Sequence, residues 1–86
     1  MDEEITFRYD TQLLIEGSNL DVDSIIKNLT FHVRGDSLLV VGDSDLVKIH
    51  YHTNEPWKVL KYCSTLGEIF DIVVEDTVRQ SSGKQG

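Results

Sequence analysis

Apolar and polar positions alternate with a period of two in residues 5–16, ITFRYDTQLLIE, and in residues 46–53, LVKIHYHT. That is the pattern of strands with one buried face. Between these runs, Val22, Ile25, Ile26 and Leu29 recur at helical spacing behind Asp21. Asp21 has the short acceptor side chain that caps a helix N-terminus, so an amphipathic helix is predicted there. VRGDS at 33–37 reads as the turn that follows it, and SLLVV at 37–41 as a buried strand. GDSD at 42–45 lies between two apolar runs and predicts a hairpin turn. Thr53 or Asn54 can cap a second helix, PWKVLKYCSTL, with Pro56 in its first turn and Gly67 as the residue that closes it. EIFDIVVEDTV at 68–78 is the last strand. RQSSGKQG at 79–86 has no apolar residue and predicts a disordered tail or linker after a domain at 5–78.

Strand, helix, strand, strand, helix, strand is the order of the split βαβ, or ferredoxin-like, arrangement. The expected fold is therefore α+β: a ferredoxin-like βαββαβ sandwich, with a four-stranded antiparallel sheet and two helices on one face. The first and third strands become central neighbours, and the other face of the sheet stays open.

Alternation then sorts the side chains. Val47, Ile49 and Tyr51 belong to the face under the helices, as do Thr11, Leu13 and Ile15. Lys48, His50 and His52 point to the open face, as do Asp10, Gln12, Leu14 and Glu16. Two histidines two positions apart on a strand have Cα atoms roughly 6.5–7 Å apart, within reach of one ion. With Asp10 or Gln12 beside them, His50 and His52 form a ligand set for zinc or another divalent metal. An HxH pair is also what a wet sheet face shows, so the spacing alone does not decide between the two. His32 reads as a surface residue suited to a helix C-terminus. Cys63 falls in the buried stripe with Val59, Leu60 and Leu66, and reads as a core thiol. Trp57 reads as an anchor of the second helix to the sheet.

Charge narrows the partners. The 86 residues carry a formal net charge of −7. An acidic domain lacks the basic face that phosphate backbones or anionic lipids need, so no nucleic-acid partner is expected. No apolar run approaches the roughly 20 residues of a membrane span. A single cysteine and the absence of a visible signal peptide fit a cytoplasmic setting. RGDS at 34–37 is turn chemistry here, and the sequon NLT at 28–30 falls inside the first helix.

The stretch GDSLLVVGDSDLVKIHYHTNEPWKVLKYCSTLGEIF resembles one family closely. That family is the middle domain of the FakA- or YloV-like (DhaL-like, "Dak phosphatase" type) fatty acid kinases, in their A component, and the likeness covers residues 7–80. The resemblance implies a parent protein with an N-terminal DhaL-like domain that holds ATP and magnesium. It also implies a C-terminal domain and a fatty-acid-carrying B subunit, whose lipid is phosphorylated to an acyl phosphate. Proteins of this kind carry a first-strand cysteine and the two histidines of an HxHTN motif at what looks like a metal site. His50 and His52 occupy the histidine positions. YDTQL at 9–13 stands where the family reads YCTEF, so Asp10 replaces the cysteine and Gln12 the glutamate. Aspartate keeps the anionic charge but offers a harder oxygen ligand. The resemblance implies that His50 and His52 act in phosphoryl transfer, or that the domain arranges its parent, with a homodimer among the arrangements. The piece alone, lacking the nucleotide-binding part, is expected to be inactive as a kinase. The competing expectation is a non-catalytic structural, dimerisation or small-ligand-binding module of the same fold.

Overall fold

The computed structural model describes residues 7–78; the predicted tail at 79–86 and the start of the predicted first strand lie outside the described residues. The elements are β1 (Tyr9–Glu16), α1 (Val22–His32), β2 (Gly35–Gly42), β3 (Leu46–Thr53), α2 (Pro56–Ser64) and β4 (Glu68–Asp76). The sheet has the order β2-β3-β1-β4, with every neighbouring pair antiparallel. This is the expected ferredoxin-like α+β sandwich, with β1 and β3 at its centre.

The core lies between the sheet and the helices, and alternation builds it. Leu13 and Ile15 of β1 and Val47, Ile49 and Tyr51 of β3 are buried. Against them pack Ile25 and Leu29 of α1 and Val59 and Cys63 of α2. Asp21 caps α1 as its side chain predicts, accepting from the backbone N–H groups of Asp23 at 3.0 Å and Ser24 at 3.3 Å. The Tyr51 hydroxyl donates to the Val33 carbonyl at 2.6 Å, tying β3 to the end of α1. Burial, with the Asp36 carboxylate adding to it, raises the phenol's pKa above its ordinary value. In the hairpin turn, Asp43 accepts from the N–H groups of Asp45 and Leu46 at 2.9 and 3.0 Å. Those two bonds hold its carboxyl below the usual range.

Several local expectations are corrected. β2 is an edge strand, and Val40 is its one buried residue, so the apolar run SLLVV is mostly exposed. Gly35, Asp36 and Ser37 belong to this strand and not to a preceding turn. Ile26 turns outward on α1, because the helix buries only Ile25 and Leu29. Trp57 is 60% exposed and does not anchor α2. The N-cap of α2 is Glu55, which makes no side-chain capping bond. The Thr53 hydroxyl instead donates to the Arg34 carbonyl and accepts from the Glu55 N–H, while Asn54 accepts from the Arg8 N–H. The second helix ends at Ser64 with Thr65 as its cap, short of Gly67. Gly67 is needed for space and not for a left-handed turn: a Cβ there would run into the Glu16 carbonyl.

Two core residues yield tests. Thr11 is fully buried and its hydroxyl has no hydrogen-bond partner among the described residues. An orphaned buried hydroxyl is costly, so Thr11→Val is expected to stabilise the fold by about 1 kcal/mol. Urea denaturation measures this, and an unchanged or lower midpoint would mean that the hydroxyl is satisfied. Cys63 is inaccessible, and burial pushes its thiol up to about 12. It should resist thiol reagents at neutral pH and react once urea unfolds the chain. Modification of the native protein at the rate of a free exposed thiol would contradict this.

Candidate metal centre

The antiparallel register of β1 and β3 sets Asp10 directly across from His52, and Gln12 across from His50. On the far side of β3, β2 sets Asp36 across from His52. A row Asp36–His52–Asp10 therefore crosses the open face, with His50 one step along β3. The alternation that sends Val47, Ile49 and Tyr51 into the core sends His50 and His52 outward.

Asp10, His50 and His52 converge as the spacing predicts, with one ligand atom from each lying within 4.8 Å of the others. Of the two first-strand candidates, it is Asp10 whose carboxylate meets both imidazoles. Its Oδ1 lies 2.5 Å from His50 Nε2, diagonally across the pair, and 3.8 Å from His52 Nε2. All three side chains are half-buried, and the two imidazole rings lie 5.3 Å apart.

The Asp10–His50 contact is close in distance but not aligned as a hydrogen bond. Asp10 Oδ1 and His50 Nε2 are both sealed from solvent and have no hydrogen-bond partner among the described residues. Buried polar atoms are almost always satisfied, so two facing orphans need an explanation. A divalent cation satisfies both at once. A carboxylate oxygen and two imidazole nitrogens are a zinc-type donor set, and three protein ligands leave a coordination position open. The residues present therefore fit a metal.

Asp36 is the member of this neighbourhood that the sequence pattern did not reveal. Its Oδ1 lies 3.8 Å from His52 Nδ1, on the opposite edge of the ring from Asp10. GDS reads as turn chemistry in sequence, and only the pairing of β2 with β3 brings Asp36 to His52. His32 and Cys63 stand apart from the cluster: His32 is exposed at the end of α1, and Cys63 is in the core. A groove of about 390 Å³ between α1 and α2, lined by Leu29, His32, Lys58 and Tyr62 among others, belongs to the helical layer and contains none of the cluster.

Comparison with known proteins agrees with this picture. Residues 6–84 match the family model of the FakA-like middle domain, the middle domain of fatty acid kinase A-subunit-like proteins. Proteins of Staphylococcus aureus strains USA300, NCTC 8325 / PS 47 and bovine RF122/ET3-1, each described as uncharacterized, are 34% identical to this chain over 82 residues. Each alignment covers 91% of this chain and 15% of the relative, so the chain spans a small part of the relatives' length. With its family model matched over nearly the whole length, the chain belongs to the FakA-like middle-domain family of fatty acid kinases.

Proposed function

We propose that this chain serves as the middle domain in the A component of a DhaL-like, ATP-dependent fatty acid kinase, and that its open sheet face holds a divalent cation. The observation that carries the metal reading is the pair of sealed, unpartnered atoms, Asp10 Oδ1 and His50 Nε2, with His52 Nε2 close by. Zinc is the favoured ion for two imidazoles and a carboxylate, although the oxygen of Asp10 admits harder divalent ions as well.

When bound, such a cation supplies Lewis acidity or a structural clamp. The chain's own residues do the rest. Asp10 contributes charge, and His50 and His52 present neutral nitrogens to the ion. An imidazole not engaged with the ion can hold or move a proton beside a phosphoryl group. ATP and magnesium belong to the parent's N-terminal domain, and the fatty acid to its B subunit, in a cytoplasmic setting. The chain by itself, 5–78 with a tail at 79–86, is inactive as a kinase on this reading. Among the described residues, no helix is long and apolar enough to cross a membrane.

A second reading, a structural module that assembles the parent as a homodimer, draws on a separate observation. Leu39, Val41, Leu46 and Val73 are exposed, and their register places them on the same open face as the cluster. Exposed apolar surface of this kind is where partners dock.

Metal content and zinc titration of the purified chain, prepared without chelator, test the first reading. One equivalent is expected to bind, and chelator is expected to lower the unfolding midpoint. Asp10→Ala and His50→Ala should each weaken binding by more than the roughly 10–100-fold typical of outer-shell changes. Asp10→Cys should tighten zinc, because a thiolate is the softer ligand. A chain that retains no metal and shows no affinity on titration would sink the metal reading and leave assembly as the function.

A further inference from the structure

The GDS triplet at 35–37 has no part in the reading above, yet its geometry is specific. Gly35 pairs with Thr53, and Asp36 pairs with His52. A Cβ on Gly35 would collide with the His52 carbonyl and the Tyr51 ring, so only glycine lets β2 come this close to β3 at the histidine. The pairing then shifts register between Asp36 and Leu39, and Ser37 adopts a left-handed backbone with φ 57°. A bulge of this kind bends an edge strand and re-aims the neighbouring side chain. The aimed side chain is Asp36, whose Oδ1 lies 3.8 Å from His52 Nδ1. Asp10 faces the other ring nitrogen of the same histidine, also at 3.8 Å.

A neutral imidazole has one protonated nitrogen and one lone pair. His52 can offer Nε2 to an ion beside Asp10 and His50 only when the proton sits on Nδ1. A carboxylate at Nδ1 favours that tautomer and holds the ring in orientation. We propose that Asp36 is a positioning residue of the metal centre: it fixes the Nδ1–H tautomer of His52 and turns Nε2 toward Asp10 and His50, with Gly35 and Ser37 as the backbone devices that place it. The 3.8 Å separation closes by a small side-chain rotation or is bridged by one water. This inference rests on the metal reading for its purpose, although the contact itself exists without an ion.

The test therefore has two arms. In the metal-free chain at mildly alkaline pH, long-range ¹H–¹⁵N NMR of the imidazoles reports the tautomer of His52. The wild type should be mainly Nδ1–H, Asp36→Ala should shift the population toward Nε2–H, and Asp36→Asn should keep part of the preference through its amide oxygen. In the second arm, zinc competition against a chromophoric chelator should show roughly 10- to 100-fold weaker binding for Asp36→Ala, and a smaller loss for Asp36→Asn. Because Asp36 is exposed, both variants should fold, which backbone amide spectra check. If the wild type binds zinc while the variants leave both tautomer and affinity unchanged, the inference is overturned and the metal reading stands. If no zinc binds to any form, the metal reading fails, and the tautomer arm alone decides whether Asp36 orients His52.

Discussion

The pairing of β1 with β3 at the centre of the sheet is the constraint on which the rest of the molecule depends. A single antiparallel register divides the two strands between core and site. Thr11, Leu13 and Ile15 meet Tyr51, Ile49 and Val47 beneath the helices, while Asp10 meets His52 on the open face. Because side chains alternate with a period of two, a slip of one residue would bury the histidines and expose the isoleucines. The apolar half of the pairing is thus what holds the polar half in place. Core stability and site geometry are here one interaction seen from two sides.

The open face runs against the usual economy of folding. Asp10 Oδ1 and His50 Nε2 are withdrawn from water without a hydrogen bond, which costs free energy in the metal-free chain. A protein tolerates such a cost where another demand is served. The buried hydroxyl of Thr11, next in sequence to Asp10 but on the opposite face, is a second unsatisfied group at the same point of β1. Both lie at the centre of the sheet, where packing on either flank is strong enough to hold them. The two edge strands, β2 and β4, carry exposed apolar residues instead. They show where the domain is open to its surroundings.

Family membership and local geometry contribute separately. The family match covers residues 6–84 and identifies the kind of domain. The convergence of Asp10, His50 and His52 follows from this chain's own side chains, with a carboxylate on the first strand. An oxygen ligand there changes which ions the site prefers without changing the strand register that assembles it.

Much of the fold was legible because the signals were local. Alternation in LVKIHYHT, the cap at Asp21 and the GDSD turn each follow from residues a few positions apart, and together they fix element order and the outward face of His50 and His52. What failed were inferences that depended on a neighbour. Whether SLLVV is buried depends on its place at the sheet edge. Whether Trp57 anchors α2 depends on which face of that short helix meets the sheet. Whether GDS is a turn or part of a strand depends on the bulge it forms against β3. The sequence by itself therefore determined the fold class, the core stripes and the candidate ligands, since hydrophobic periodicity acts through nearest neighbours along the chain. Only the tertiary structure decided that Asp10 faces both imidazoles and that Asp36 reaches His52, because contacts between residues far apart in the chain are set by strand register.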